Sequence, residues 1–218
     1  MPLPAALAHV DTWIFDLDQT LYPHEAEVMA LIEGKMTAFV ARETGLSQPD
    51  AYALQKSYLF EHGTTLAGLM AHHGVEPRRF LDEVHDVSLD TLVPDPELNA
   101  MVASMKGRRI VFTNGDEPHA VRILEKLEMT ALFDGVFHLE HANYIPKPNL
   151  LTFELMMKAH IVDPNTAAFF EDSPKNLKPA CELGMKTILV GPKADGNTDP
   201  WVHFRDLNLK SFLRNHLG

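Results

Sequence analysis

Short apolar runs alternate along the chain with segments in which apolar residues recur at helical spacing. The runs lie at 12–15, 109–112, 167–170 and 187–190, with 134–139 as a weaker fifth candidate. Each run is typical of a strand buried on both faces of a sheet. Helical stripes separate the runs: Ala120, Ile123, Leu124 and Leu127 form one, and Leu150, Phe153 and Met157 form another. Strands that alternate with helices predict an α/β fold with an open, mostly parallel sheet.

The region between residues 21 and 94 has a different pattern, with no convincing strand. An amphipathic stripe there consists of Val28, Leu31, Ile32, Met36, Phe39 and Val40. Further helices are predicted at 49–61, 65–73 and 77–89, with glycines at the breaks and a return linker at 93–96. Because this helical block follows the first strand directly, we expect a helical cap (21–94) over a catalytic core (1–20 and 95–218).

Composition and charge narrow the class of protein. The chain has 218 residues, of which 45% are hydrophobic and 22% charged, as in soluble globular proteins. Its net charge of −11 would repel a nucleic-acid polymer, so a small-molecule partner is expected. No apolar run approaches the ~20 residues that span a bilayer, so no membrane association is expected.

The N-terminal segment and the cysteine content bear on location. Residues 1–11 lack the basic start of a signal peptide. Cys181 is the single cysteine and lies on a helical apolar stripe, where it is interpreted as a small buried residue. No intrachain disulfide is possible, and we expect a cytoplasmic protein. The sequence leaves open whether it is a monomer or a homodimer.

Polar side chains follow three of the predicted strands. Asp16 and Asp18 follow the first, the pair Thr113-Asn114 the second, and the pair Glu171-Asp172 the third. The carboxyl ends of parallel strands meet at one edge of an open sheet, where ligands bind. Four carboxylates in one crevice repel one another unless a cation lies among them, and a set of hard oxygen ligands suits Mg²⁺. The pattern therefore predicts a Mg²⁺ site and phosphoryl chemistry.

Three further residues could complete such a site. Lys147 lies between two prolines in I-P-K-P, which keeps it out of the following helix, and it could pair with a carboxylate and hold a phosphate oxygen. Ser173 is predicted as a helix N-cap, and Asn176 lies one turn later; both could act from behind the site. Taken alone, a D-x-D spacing or a single lysine is common on protein surfaces. Their combination, in this order, is specific.

Four motifs together resemble those of the haloacid dehalogenase superfamily. They are D-L-D-Q-T at 16–20, F-T-N-G at 112–115, I-P-K-P around Lys147 and E-D-S-P-K-N at 171–176. The resemblance implies a Rossmann-like core, and a helical insert after the first motif resembles the C1 type of cap. Gln19 stands where many members carry glycine, a departure outside the core mechanism.

The resemblance also implies roles for these residues. Asp16 would attack phosphorus and form an aspartyl-phosphate, and Asp18 would protonate the leaving alkoxide and then activate the hydrolytic water. Thr113, Asn114 and Lys147 would hold the phosphoryl group, the second of these through its backbone N–H. The implied ligands of Mg²⁺ are Asp16, the backbone carbonyl of Asp18, Asp172 and, directly or through water, Glu171.

A narrower resemblance points to the pyrimidine 5′-nucleotidase branch, whose members dephosphorylate UMP and CMP. It rests on F-D-L-D-Q-T-L-Y, the cap stretch at 58–69 and E-D-S-P-K-N. Candidate substrate contacts are Tyr22, Tyr58, His62 and Thr65, each of which could instead pack the cap. The alternatives are a phosphatase for another small phosphoester, such as a sugar phosphate or phosphoglycolate, and a non-catalytic ligand-binding module. A dehalogenase is disfavoured, because a halide needs no proton from Asp18.

Overall fold

The computed structural model describes residues 6–216. Residues 1–5 and 217–218, which belong to the predicted core, therefore lie outside the described part. Residues 1–5 are also the start of the segment 1–11 that was compared with a signal peptide. Six parallel strands form one sheet in the order β3-β2-β1-β4-β5-β6. The strands are β1 (Thr12–Phe15), β2 (Arg108–Phe112), β3 (Gly135–Phe137), β4 (Ala167–Glu171), β5 (Lys186–Val190) and β6 (Phe204–Asp206). The predicted α/β fold is confirmed.

Helices lie between the strands and in one block after β1. The block contains α1 (Val28–Thr44), α2 (Gln48–His62), α3 (Thr65–His73) and α4 (Pro77–Val84). The other helices are α5 (Pro96–Ser104), α6 (Glu117–Lys126), α7 (Leu150–His160), α8 (Pro174–Leu183) and α9 (Leu209–His216). The helical insert thus lies between β1 and β2, whereas its exact division from the core at residues 20/21 and 94/95 stays a prediction.

The central position of β1 in the sheet determines where the residues that follow it lie. Phe15 is in register with Val111 of β2 on one side and Phe170 of β4 on the other. Alternate side chains of β1 enter different halves of the core: Phe15 stacks on Phe170 at a centroid distance of 4.9 Å, while Ile14 packs into the opposite cluster. Burial on both faces therefore fixes the direction in which the chain leaves β1.

Several elements depart from the sequence predictions. The helix expected at 77–89 ends at Val84, and Asp95 caps a further helix, α5, whose first residue, Pro96, was assigned to the return linker. The edge strand β6 and the helix α9 were not predicted. Leu31, placed on the buried stripe of α1, is exposed, and Cys181 is only half-buried.

Candidate active site

A crevice of about 680 Å³ opens at the carboxyl ends of the central strands. Asp16 continues the sheet pairing, because its backbone N–H donates to the Phe170 carbonyl at 2.9 Å, and Thr113 does the same to Phe137 at 3.0 Å. The crevice is lined by all the core residues singled out from the sequence: Asp16, Asp18, Thr113, Asn114, Lys147, Glu171, Asp172, Ser173 and Asn176. The fold therefore brings these residues together, while their chemical roles stay proposals.

A buried ammonium group lies at the centre of this cluster. Lys147 Nζ is 2.7 Å from Asp16 Oδ1, 2.9 Å from Glu171 Oε2 and 2.7 Å from the Phe112 carbonyl oxygen. These three acceptors match the three N–H donors of a lysine. Burial opposes a charged lysine, but the two carboxylates outweigh it and raise the pKa of Lys147. The side chain is therefore a fixed cation and not a mobile surface charge.

The carboxylates around Lys147 carry more negative charge than one lysine neutralises. Burial raises the pKa of the Asp16 carboxyl to about 6, although Lys147 acts in the opposite direction and Asp172 adds to the rise. Burial and the charge of Asp16 also raise the pKa of Glu171 well above its usual range. Asp172 pairs with Lys193 at 2.8 Å. The cluster therefore has room for further positive charge.

The donor set fits Mg²⁺. Asp16, Glu171 and Asp172 each offer an oxygen, and these oxygens all lie within 4.8 Å of one another. The Asn176 Oδ1 atom, at the wall of the crevice, is buried with no hydrogen-bond partner among the described residues. Hard oxygen ligands of this kind are those that Mg²⁺ prefers. The side chain of Asp18 is not part of this group, and the predicted contribution of its backbone carbonyl stays a prediction.

The Asp18 carboxylate contacts two protein side chains through a single oxygen. Its Oδ1 atom accepts a hydrogen bond from the Tyr22 hydroxyl at 2.6 Å and lies 2.8 Å from His119 Nε2. Burial would raise the pKa of Asp18, but His119 and Tyr22 outweigh it and lower the pKa. Burial and the Asp18 charge raise the pKa of Tyr22, so its hydroxyl stays protonated. The pKa of His119 is raised, because Asp18 outweighs the opposing effect of burial.

Two of the predicted site residues, Asn114 and Ser173, make hydrogen bonds that hold nearby segments of the site in place. The Asn114 side chain accepts from the Lys147 backbone N–H at 2.8 Å and donates to the Lys147 carbonyl at 3.1 Å. Asn114 therefore fixes the segment that carries Lys147, and both the oxygen and the nitrogen of its side-chain amide are engaged in these bonds. Ser173 is the N-cap of α8 as predicted, yet its side chain makes no capping bond; its backbone N–H donates to Glu171 Oε1 at 3.1 Å.

The four cap candidates differ in where they lie. Thr65 lines the crevice, whereas Tyr58 and His62 do not. Tyr58 is buried with its hydroxyl 2.7 Å from His73 Nε2, and His62 contacts His72 at 3.1 Å. Tyr22 is buried against Asp18 and presents no free aromatic face to a substrate.

Sequence reasoning missed several residues at the crevice. The cap contributes Glu33, Met36, Gln55 and Lys56, with Lys56 paired to Glu33. His119 was also missed, although its place three residues after the helix N-cap Asp116 was a usable signal. A side chain in the first turn of α6 can point back towards the strand ends.

Two sequence comparisons place the chain among known proteins. A family model described as haloacid dehalogenase-like hydrolase matches residues 10–184. Phosphate metabolism protein 8 of Saccharomyces cerevisiae is 26% identical over 193 residues, covering 81% of this chain. The chain spans only 60% of the length of that yeast protein.

Solved structures share the fold at low sequence identity. A HAD phosphatase from Thermococcus onnurineus superposes with a TM-score of 0.63 at 18% identity, covering 96% of this chain and 98% of that one. L-2-haloacid dehalogenase from Xanthobacter autotrophicus gives 0.56 at 16% identity, covering 94% and 97%. Because phosphatases and dehalogenases both occur among these structures, the likeness shows the fold and leaves the reaction to be argued. Within residues 6–216, each helix is too short or too polar to cross a membrane.

Proposed function

The chain belongs to the haloacid dehalogenase-like hydrolase family, and on that premise we propose that it is a Mg²⁺-dependent phosphomonoesterase. The reaction would pass through an aspartyl-phosphate on Asp16, and the preferred substrate would be a pyrimidine nucleoside 5′-monophosphate. The observation that carries the proposal is the placement of Asp18 at the crevice beside Asp16. An alkoxide leaving group needs a proton from such a carboxyl, whereas a halide needs none.

The first step would join Asp16 to phosphorus and release the alcohol. An Asp16 carboxylate oxygen forms the bond to phosphorus while the bond from phosphorus to the ester oxygen breaks. Asp18 gives its proton to that ester oxygen as the bond breaks. A phosphoryl group brings negative charge beside Asp18, which raises the proton affinity of the carboxyl and favours the protonated form that this step needs.

The second step would free the enzyme. Water attacks the phosphorus of the aspartyl-phosphate, Asp18 takes a proton from that water, and inorganic phosphate leaves as the bond to Asp16 breaks. The buried Lys147 ammonium stabilises the carboxylate of Asp16 before and after turnover. The Thr113 side chain, already fixed by the Gly115 N–H at 2.8 Å, would contact the phosphoryl oxygens.

The metal would be held by Asp16, Asp172 and Glu171, with the Asp18 backbone carbonyl as a further ligand. When bound there, Mg²⁺ supplies positive charge that reduces the repulsion between the carboxylate nucleophile and the phosphate. The crowding of these acids supports this assignment: burial and the neighbouring carboxylates raise the pKa of Asp16 and of Glu171, and a bound cation would favour their charged forms.

The choice of substrate rests on the cap and is the narrower part of the proposal. The predicted cap, residues 21–94, contributes Thr65, Gln55 and the Lys56–Glu33 pair to the crevice wall. Hydrogen-bonding groups of this kind suit the edge of a pyrimidine base better than a bare alkyl chain. The cap stretch 58–69 also resembles the pyrimidine 5′-nucleotidase branch.

Phosphate release from a panel of esters tests both parts. The panel contains UMP, CMP, dUMP, purine nucleotides, sugar phosphates and phosphoglycolate, each with Mg²⁺ and with a chelator. Asp16→Asn should abolish the activity, and Asp90→Asn, at an exposed aspartate, should not. Preference for another ester would keep the mechanism and replace the substrate. Activity that survives in Asp16→Asn would refute the proposed nucleophile, and no turnover by the folded protein on any ester would favour a non-catalytic module.

A further inference from the structure

We propose that Tyr22 and His119 are positioning residues that hold the Asp18 carboxylate so that Oδ2, and not Oδ1, exchanges the proton with the substrate. This inference rests on the proposed function, in which Asp18 is the proton donor and acceptor. It assigns a task to two side chains that bind neither the phosphate nor a metal.

The two contacts converge on one oxygen. The Tyr22 hydroxyl lies 2.6 Å from Asp18 Oδ1 and His119 Nε2 lies 2.8 Å from the same atom. Within residues 6–216, no hydrogen-bond donor reaches Asp18 Oδ2. Two donors saturate Oδ1, so a proton on the carboxyl group belongs on Oδ2. A carboxylic acid held in this way has one defined direction for delivery.

Both partners are donors in this arrangement. The Tyr22 hydroxyl donates, and an imidazole nitrogen that faces a carboxylate oxygen at 2.8 Å carries a hydrogen in either charge state of the ring. The other ring nitrogen of His119, Nδ1, has no hydrogen-bond partner among the described residues. Among the described residues, Asp18 is therefore the single hydrogen-bond partner of the His119 imidazole ring.

The surrounding structure leaves His119 little freedom. Its ring is fully buried and stacks on the ring of His85, with centroids 4.3 Å apart and planes 16° from parallel. Its backbone N–H donates to Asp116 Oδ1 at 3.1 Å, which fixes the first turn of α6. A Cβ atom added to Gly115 would come 3.0 Å from His119 Cδ2, so glycine there gives the ring its space.

Tyr22 is also held in place by its surroundings. It is 3% exposed and packs in the main hydrophobic cluster. Asp18 Oδ1 is thus contacted by two buried aromatic side chains, one from the segment after β1 and one from α6. Positioned groups of this kind contribute to rate by removing the search for the reactive geometry.

A purely structural role for these contacts makes a different prediction. Tyr22 and His119 could serve only to satisfy a buried carboxylate, in which case their removal would affect all substrates alike. If they position the proton, their removal should matter for a leaving group that needs protonation and not for one that leaves without it. The basicity of the leaving group separates the two cases.

The test compares an alkyl phosphate with p-nitrophenyl phosphate, whose phenolate leaves readily without a proton. kcat/KM is the quantity to measure, because it reports formation of the phosphoenzyme. Tyr22→Phe and His119→Leu should each lower kcat/KM for the alkyl ester by about 10-fold or more, a part of the roughly 10²- to 10⁴-fold effect of an acid catalyst. For the aryl ester the loss should stay below about 3-fold, with little change in KM for either ester. His119→Gln, which keeps an N–H near the position of Nε2, should recover part of the loss.

The controls separate failure of this inference from failure of the proposed function. Asp18→Asn sets the largest possible difference between the two esters, and His203→Gln, at a histidine bound to Thr187 in β5, should leave the ratio unchanged. Equal losses on both esters in Tyr22→Phe and His119→Leu, or no loss in either, would overturn the inference. If wild-type protein hydrolyses neither ester, the proposed function fails first. Should His119→Leu not fold, the conservative Tyr22→Phe decides alone.

Discussion

The ammonium Nζ of Lys147 lies 2.7 Å from Oδ1 of Asp16, and both side chains are buried. The lysine comes from the segment before α7, while the aspartate directly follows β1, a central strand of the sheet. The pair therefore joins distant parts of the chain at the point where chemistry is proposed. A buried ion pair is weak evidence for stability by itself, but its disruption leaves an uncompensated charge.

Removal of the lysine should therefore destabilise the fold as well as abolish activity. In Lys147→Met, the carboxylates of Asp16 and Glu171 lose their shared cation, and we expect the free energy of unfolding to fall by about 3–5 kcal/mol. Urea unfolding in metal-free buffer at pH 7 measures the change. The double variant Lys147→Met/Glu171→Gln should recover part of it, because one of the two carboxylates is gone. A fully wild-type stability in Lys147→Met would contradict the charge balance described here.

Mg²⁺ should stabilise the folded protein. A ligand that binds only the folded state adds about 2.7 kcal/mol at a concentration of 100 times its Kd. The unfolding midpoint should therefore rise with Mg²⁺ in wild-type protein and much less in Asp172→Asn, which removes one oxygen ligand. Asp195→Asn, away from the cluster, serves as the matched control. An identical response in all three proteins would exclude the proposed ligand set.

The Asp116 carboxylate should stabilise the folded protein at neutral pH, and this stabilisation should be lost at acidic pH. Burial opposes its ionisation, but His85 and Arg78 outweigh burial and hold the pKa of Asp116 well below its usual range. A carboxyl with a depressed pKa in the folded state stabilises the fold above its unfolded pKa near 4, and this contribution is lost as the pH falls. We expect Asp116→Asn to cost about 3 kcal/mol at pH 7, with the difference from wild type shrinking below about pH 4.

A neighbouring ion pair provides the control for Asp116. Asp82 also pairs with Arg78, at 2.7 Å, but it is well exposed. Asp82→Asn should cost less than about 1 kcal/mol, as exposed ion pairs do. Chemical unfolding across the pH range compares the two variants. A pH-independent cost in Asp116→Asn would mean that its contribution is helix capping and not charge.

Gly107 should tolerate no side chain. Its φ angle is +93°, and an added Cβ atom would come 2.1 Å from the Asp11 backbone oxygen. Gly107→Ala should therefore lower the free energy of unfolding by more than about 2 kcal/mol. The opposite is expected of Gly34→Ala in α1, where nothing lies within 4 Å of the added atom, with a gain of about 0.5–1 kcal/mol. Thermal unfolding of the two variants is sufficient to compare them.

Gln55 should influence which ester is preferred and not the chemistry itself. It is buried at the crevice wall, where its side-chain oxygen accepts from Thr37 at 2.6 Å and its amide nitrogen donates to Met36 Sδ at 3.8 Å. One amide N–H therefore remains for a ligand. Loss of a polar group that a substrate requires costs selectivity strongly. We expect Gln55→Leu to change the ratio of kcat/KM between UMP and a sugar phosphate by about 10-fold or more, with p-nitrophenyl phosphate little affected. An unchanged ratio would remove Gln55 from the recognition surface.

The strands that carry the site were predictable because both of their faces are buried. Burial on both sides makes β1, β2, β4 and β5 continuous apolar runs, and each prediction agrees with the structure to within one residue at either end. The edge strand β6 has only three residues, F-R-D, none of which is fully buried, and it carries no such pattern. Parallel strands then bring their polar ends to one edge, so the placement of these residues at one crevice could be predicted from the sequence, while their roles stay predictions.

The features that sequence reasoning missed depend on packing between distant segments. Val87 and Leu89 continue the apolar pattern of α4 and are buried, but in an irregular segment after the helix has ended at Val84. The imidazole ring of His119 has no described hydrogen-bond partner in its own helix, and its role becomes apparent only through Asp18, in the segment after β1. Tyr58 and His62 have the residue types of a base-binding surface, yet their neighbours within the cap occupy them. Spacing along the chain cannot distinguish these cases.

The register of β1 also has a consequence for how the protein is made. β1 is synthesised before the other described strands, and its two hydrogen-bonding neighbours begin only at Arg108 and Ala167. Until both have been synthesised, the nascent strand has two open edges and a very apolar sequence, which is the condition under which aggregation and chaperone capture compete with folding. The helices α1–α4 have mostly local contacts and can form during this interval. The acidic crevice is therefore completed late in synthesis, because a chain stalled before β4 contains Asp16 and Lys147 but lacks Glu171 and Asp172.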